Sequence, residues 1–326
     1  MEDGLYQVTT PYLCAGFVVE NGQVTECAPI LRKKLAYWQT VAKKVEVKEM
    51  PEVKGIPDAF VIVDFSNFVH TCWWPAISAQ RADPKYDAKE VLKTNMYGKL
   101  GTIGKAMADC GYHDVTYIFV EDQIPTEKLK LYPEYKAGRN RENPPPKEEA
   151  KTWLVEHGYT YWCSAPDSEA DDTIATLVTL LSGDPDSIPI VIVSSDKDLW
   201  QLIQPGVLVY RTTTGKFVTD AMIQEEFGVL FPDQIPLCKA MWGDASDNIP
   251  NVMPRMQKQL LPLIKTTDGS LSEFWANFHM DLGVHLTDKC RKMLEENKAD
   301  IERNYKLVKL KKELNLEFYG KRNKNE

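Results

Sequence analysis

The stretch IPIVIVSSDKD, residues 188–198, packs an apolar run against a pair of carboxylates. The same wording recurs upstream as AFVIVDF at 59–65 and VTYIFVED at 115–122. Apolar runs this short and nearly unbroken are strands buried on both faces, whereas a strand with one wet face would alternate polar and apolar residues. Between them the period changes to that of helices, around 88–110, near 147–157 and over 169–182. Two further strands read as YTYWCSA (159–165) and VLVYRT (207–212). Strands alternating with helices predict an α/β fold, a parallel sheet with helices on both faces. Ligands of such sheets bind beyond the carboxyl ends of the strands. Asp64, Asp122 and Asp196 each close or follow an apolar run, so the topology gathers them at that edge.

Two more acidic groups belong with these three: Glu169, Asp171 and Asp172 in SEADDTIATL, and Asp244 and Asp247 in WGDASDN. With Asp198 they make nine acids. Like charges held close repel and lose hydration, so such a gathering needs a cation among them. Two divalent ions would supply it, and a dinuclear site is the usual apparatus for in-line attack on a phosphodiester. Each group also has an ordinary explanation. Acids after Ser168 cap a helix and favour its dipole, and Asp196-Lys197-Asp198 reads equally as a turn. Glu169 and Asp172 share one helix face while Asp171 points elsewhere, so capping does not employ all three.

The chain has 326 residues, of which 43% are hydrophobic, enough for one large or two modest domains. Its seven cysteines show no CxxC pair and no zinc spacing, which reads as reduced thiols in a cytoplasmic protein. No apolar run reaches the length of a membrane span, and MEDGLYQVTT does not read as a signal peptide. A net charge of -8 argues against a nucleic-acid partner unless the acids are concentrated at a metal site. Residues 128–151 supply a local positive face with Lys128, Lys130, Lys136, Arg139, Arg141, Lys147 and Lys151, interleaved with Tyr132 and Tyr135. A solvated helix face would look the same. The five histidines form no pair suited to general-base work.

Residues 1–50 read as a small ββα-like unit. Two strands, Tyr12 to Glu20 and Gln23 to Cys27, flank Asn21-Gly22, and a helix runs from about Ile30 to Lys44. A linker at 51–58 lies within a Pro- and Gly-bearing stretch that begins at Val45. The α/β core spans 59–218 and a helical region 219–326.

The strings LYPEYKAGR (131–139), EADDTIATL (169–177), VIVSSDKDLWQLI (191–203) and GDASDNIPNV (243–252), in this order, resemble the 5'-nuclease family: phage 5'-3' exonucleases, flap endonucleases and the nuclease domain of bacterial DNA polymerase I. The likeness covers about residues 59–255. It implies a PIN-like core, a helical arch at about 123–150, and a helix-three-turn-helix element at about 232–265 that grips duplex. It assigns Asp64, Asp122, Glu169, Asp171, Asp172, Asp196, Asp198, Asp244 and Asp247 as ligands of two or more Mg²⁺ or Mn²⁺ ions. Lys128, Lys136 and Arg139 become the basic catalytic positions of the arch, with Lys136 at the transition state. Asn67, Tyr135, Arg141, Ser246, Asn248, Arg255 and Lys258 become nucleic-acid contacts, Tyr135 either stacking on an unpaired base or packed within the arch.

The chain departs from the family at Phe65 and His70-Thr71, where Gly and Arg are usual. It departs again in NVMPRMQKQLLPLIK (251–265), which lacks the glycines of the family's hairpin and offers Arg255, Lys258 and Lys265 instead. The resemblance implies a monomeric, metal-dependent 5'-3' exonuclease and 5'-flap endonuclease of DNA replication, repair or primer removal. Its setting would be a bacterial or phage-infected cytoplasm, with replication proteins as allowed partners. A ribonuclease of the same fold acting on RNA or RNA–DNA hybrids, and a non-catalytic binder of DNA structures, are the alternatives.

Overall fold

The computed structural model describes residues 4–10, 13–20, 23–27 and 43–44 as backbone strands, and residues 57–138, 142–182, 187–280 and 284–319. The first group forms a sheet of order β3-β2-β1-β4: β1 Gly4–Thr10, β2 Leu13–Glu20, β3 Gln23–Cys27 and β4 Lys43–Lys44. The expected hairpin is present, with Glu20 opposite Gln23 in an antiparallel pair. Lys43 and Lys44, read as a helix end, instead pair with Gln7 and Tyr6 of β1. The rest of the expected helix and the linker 51–56 lie outside the described residues.

Seven strands make the second sheet, in the order β10-β9-β8-β5-β6-β7-β11. At its centre β5 (Ala59–Asp64) pairs in parallel with β6 (Val115–Val120) on one side and β8 (Ile190–Val193) on the other. From β5 the chain runs outward through β6 to β7 (Trp162–Ser164), then returns across β5 to β8 and β9 (Val207–Arg211). The direction of winding therefore reverses at β5, and the crevice of a doubly wound sheet opens beyond its carboxyl end. The sheet is mostly parallel, not wholly so. Edge strands β10 (Lys216–Phe217) and β11 (Glu317–Tyr319) pair antiparallel with β9 and β7.

Every residue of β5 and β8 is buried, which explains their unbroken apolar wording. Alternate residues feed two cores, with Phe60, Ile62, Ile190 and Ile192 on one face and Val61, Val63, Val191 and Val193 on the other. Helices α1 (Phe65–Ala82), α2 (Ala88–Asp109) and α4 (Lys147–Glu156) cover the second face, and α5 (Ala170–Leu181) the first. The short α3 (Thr126–Leu131) precedes α4. Helix α1 has no counterpart in the sequence reading. Pro75 sits inside it and Phe65, Phe68, Val69, Thr71, Trp73, Trp74 and Ile77 are aromatic or β-branched, so local propensity argues against a helix. Burial of Phe65, Phe68, Val69, Cys72, Trp73, Ala76 and Ile77 overrides that preference, at roughly 1.5–3 kcal/mol for each large apolar side chain.

Beyond the sheet come α6 (Asp220–Phe227), α7 (Ile235–Trp242), α8 (Gln257–Ile264), α9 (Leu271–His279), α10 (Asp288–Glu296) and α11 (Lys298–Val308). The last is a packing helix whose Asn304 amide donates to Ala240 O at 3.0 Å and Pro250 O at 3.1 Å, locking α7 and the turn that follows it. No described helix is long and apolar enough to cross a membrane. Cys72, Cys110, Cys163, Cys238 and Cys290 are free thiols.

Candidate active site

Asp64 ends β5 and caps α1, accepting a hydrogen bond from Asn67 N at 3.0 Å and one from Ser194 Oγ at 2.9 Å. The strand thus delivers a buried carboxylate to the crevice, and a serine at the end of the next strand orients it. Asn67 extends this scaffold, accepting from Ser195 N at 3.0 Å and from Thr212 Oγ1 at 3.3 Å. Its side-chain oxygen therefore holds the strand ends together. Asp122, just past β6, accepts from Ser66 Oγ and from Ala170 N, at 3.0 Å, in the first turn of α5. Lys147 Nζ stands 3.8 Å from it.

The acids divide into two electrostatic sets. Burial pushes the Asp64 carboxyl up to about 7, and the neighbouring charges of Asp122 and Asp196 add to the shift. Asp171 is raised well above the usual carboxylate range by burial, then by Asp196 and Asp64. Asp196 is raised by burial, against the pull of Lys239. Burial is the largest cause in all three, and the charge of Asp196 adds to the shifts of both Asp64 and Asp171, so these side chains face a common space where positive charge does not offset burial.

The second set is compensated. Burial would raise Glu169, yet its carboxyl is held down at about 2 by the ammonium groups of Lys128, 2.9 Å away, and Lys136, hydrogen-bonded to its other oxygen. Asp244, buried in part, is likewise held at about 2, chiefly by Lys239 at 2.7 Å with help from Ser246. The same lysine donates to Asp198. Asp247 accepts from Tyr135 Oη at 2.9 Å and lies 3.5 Å from Lys136 Nζ. Asp172 is turned away from the common space. One oxygen accepts from Lys311 N at 2.9 Å and the other pairs with Lys128 at 2.9 Å, so it buttresses the protein rather than offering itself as a ligand.

Several basic and aromatic assignments change for the same reason. Lys128 is 5% exposed and locked between Glu169 and Asp172, so it stabilises the acids from within and does not reach a substrate. Tyr135 is 4% exposed, with its hydroxyl lying between Glu169 at 2.8 Å and Asp247 at 2.9 Å and its single proton shared by the two carboxylates. It packs against Ile249, Leu307 and Val308, which leaves no face for a base. Lys136 is the more open of the two lysines on Glu169; its backbone takes a left-handed conformation, φ 56°, and its N–H donates to Asp247 O at 2.9 Å. Arg139 and Arg141 lie outside the described residues. Ser246, Asn248, Arg255 and Lys258 are all exposed around the turn between α7 and α8, as is Lys265 after it. Gly243 opens that turn at φ 74°, where a Cβ would come within 2.4 Å of Ile249 O.

Lys239 has no place in the sequence reading. Its signal is a lone lysine inside the apolar helix IPLCKAMW, five residues before Asp244; only the fold shows that it bridges two acids from different segments. Among the described residues, no three acidic side chains are arranged as a ready-made ligand shell. The donor chemistry nevertheless fits a hard divalent cation, since the crevice offers carboxylate oxygens. The deficit of positive charge around Asp64, Asp171 and Asp196 is what such an ion would offset.

Comparison with known proteins places this arrangement. The family model described as "5'-3' exonuclease, N-terminal resolvase-like domain" matches residues 59–228. The 5'-3' exonuclease of Aquifex aeolicus (strain VF5) is 31% identical over 266 residues, covering 79% of this chain and 83% of that protein. A thermostable DNA polymerase I of Thermus thermophilus is 30% identical over 210 residues, covering 64% of this chain. The chain spans about a quarter of such a polymerase, 24% of its length. Among solved structures, the flap endonuclease of bacteriophage T5, as a pseudo-enzyme–product complex with DNA and metal ions, matches with a TM-score of 0.53 at 19% identity. That match covers 77% of this chain and 88% of the phage protein, and speaks for a shared fold.

Proposed function

The chain belongs to the 5'-3' exonuclease family, and we propose that it hydrolyses phosphodiester bonds in DNA as a metal-dependent 5'-3' exonuclease and 5'-flap endonuclease. The observation that carries the reading is the set Asp64, Asp171 and Asp196, three carboxyls at the crevice of a doubly wound sheet, each raised by burial and the first two raised further by the charge of Asp196. Such a deficit of positive charge in a cleft marks a functional site.

Asp64, Asp122, Asp171 and Asp196 would hold one or more Mg²⁺ or Mn²⁺ ions, with Glu169, Asp198, Asp244 and Asp247 completing the shell. When bound, such ions acidify water and offset the charge of a phosphodiester undergoing displacement. The chain's own residues set the stage for this. Ser194 and Asn67 fix Asp64, and Ala170 N fixes Asp122. Lys239 pairs with both Asp198 and Asp244 and holds them in register. Lys136 brings an ammonium group to the rim, where it would neutralise the phosphate as charge develops. The product would carry a 5' phosphate. Segment 123–150 would form the arch over a single strand. The α7–turn–α8 element would grip duplex backbone through Arg255, Lys258, Ser246 and Asn248, in the manner of a helix-three-turn-helix.

The test is cleavage of a 5'-labelled flap duplex beside its 3'-flap counterpart, with Mg²⁺, Mn²⁺ or EDTA. Metal-dependent cutting confined to the 5' flap is expected. Binding without cutting would sink the enzymatic reading, and preference for a matched RNA strand would sink the choice of DNA.

A further inference from the structure

A pocket of about 360 Å³ opens beside the crevice, between α1, α2 and the turn joining β9 to β10. Its lining includes Thr71, Asn95, Lys99, Thr102, Tyr210 and Thr212, and no acidic residue. Lys99 Nζ donates to Thr71 Oγ1 at 2.9 Å and to Thr212 O at 3.3 Å, both uncharged acceptors. Among the described residues no carboxylate pairs with it. An ammonium group has three protons to donate, so one remains for an incoming group. Burial lowers the pKa of Lys99, which is what a partly dry cation without a counter-ion experiences. Elsewhere in this acidic chain the buried lysines Lys128 and Lys239 each bridge two carboxylates. Lys99 alone of these three is left with its charge unmatched and a cavity in front of it.

The pocket is joined to the acids by short links. Thr212 lines it and donates to Asn67 Oδ1, while Asn67 N donates to Asp64. Thr71 sits one helical turn after Asn67 on α1. Asn95 Nδ2 donates to Cys72 O at 2.9 Å, tying α2 to α1 and fixing the distance across the pocket. The hydroxyls of Thr71, Thr102 and Thr212 donate to Phe68 O at 2.9 Å, Gly98 O at 3.0 Å and Asn67 Oδ1 at 3.3 Å, so the donor left for an anion is the third proton of Lys99.

We propose that this pocket is an anion subsite in which the unpaired charge of Lys99 binds a backbone phosphate of the nucleic-acid substrate next to the cleavage site. The claim rests on the nuclease reading for its ligand and on the pocket's own chemistry for its charge. A phosphate there would set the register of the strand relative to Asp64, making Lys99 a positioning residue and not a catalytic one.

Two measurements separate the pocket from the nuclease reading. Inorganic phosphate titrated against the full chain in EDTA, followed by amide shifts of residues 95–102 and 212–215, should perturb the wild type and leave Lys99→Gln unmoved. No perturbation in the wild type overturns the subsite whatever the enzyme does. Affinity for a flap duplex, measured against salt in Ca²⁺, should fall several-fold in Lys99→Gln, with the slope of log K against log salt reduced by about 1. An unchanged affinity and slope would overturn the assignment to the substrate backbone. Gly98→Leu is a second probe. Gly98 lines the pocket with open space beyond its Cα, so leucine fills the cavity while favouring the helix, and the same loss of affinity is expected. Wild-type protein that binds phosphate but cuts no flap would refute the nuclease reading and leave the pocket as an anion site for another ligand.

Discussion

Two groups of acids meet at one crevice, and they differ in who supplies the positive charge. Around Glu169 and Asp244 the protein supplies its own: Lys128, Lys136 and Lys239 reach in and hold these carboxyls at about 2. Around Asp64, Asp171 and Asp196 that supply falls short: burial raises all three carboxyls, and Asp196 pushes Asp64 and Asp171 further upward. The first arrangement already carries counter-charge of its own. The second is a site built at a cost in stability that only an external cation offsets, which is how functional sites differ from structural ones.

The sharpest way to break this contrast is to remove a carboxylate from the uncompensated set. Asp171→Ala or Asp196→Ala should lower single-turnover cleavage of a 5' flap by on the order of 10³-fold or more, the scale of losing metal assistance. Flap binding should be intact or tighter, because repulsion of phosphate is reduced. Near-normal cutting in either variant would contradict the division. Removing a cation from the compensated set should act on the fold instead. Lys128→Met leaves Glu169 and Asp172 buried without their partner, at a cost of roughly 3–5 kcal/mol in urea denaturation. A variant as stable as wild type would show that the pair is not needed.

Lys136 lies between the two sets, touching Glu169 while partly open to the crevice. Lys136→Ala should slow the chemical step by about 10²-fold with little change in affinity, the pattern of a contact made in the transition state. If affinity alone falls, Lys136 steers substrate and makes no contact specific to the transition state.

These distinctions were only partly legible in the sequence. The buried strands and the carboxylates at their ends could be read because one period and one position recur in β5, β6 and β8. Helix α1 could not, because tertiary burial overrides the local preference set by Pro75. Nor could the partition of the acids. Asp171 and Asp172 are adjacent in EADD, yet one faces the crevice and the other is tied to Lys128 and Lys311 N, a matter of side-chain direction from one helix. Lys239 was illegible for a related reason, since Asp198 lies far away in sequence and is brought near only by packing, while for Tyr135 the sequence left stacking and packing open and only the fold shows it packed.

The smallest expected effect is a pair of opposite slopes with pH in metal-free protein. Carboxyls raised in the folded state bind protons more tightly there than when unfolded. For Asp64, raised to about 7, stability should therefore fall as pH climbs from roughly 4, the unfolded value, towards 7. Glu169 and Asp244 act in the other sense, their contribution being present above roughly pH 4 and lost as pH drops towards 2. Urea denaturation in EDTA across this range should show both slopes. Asp64→Asn should flatten the upper one, and Mg²⁺ should restore stability at pH 7 by mass action. An upper slope that Asp64→Asn leaves unchanged would assign it to other groups.

The most direct measurement is a crystal structure of the wild-type chain with Mn²⁺, read by anomalous scattering. Peaks coordinated by the carboxylates of Asp64, Asp171 and Asp196, with Lys128 still bridging Glu169 and Asp172, are the predicted result. Manganese bound only where Lys128 and Lys239 now sit, or no ordered ion in the crevice, would contradict the account.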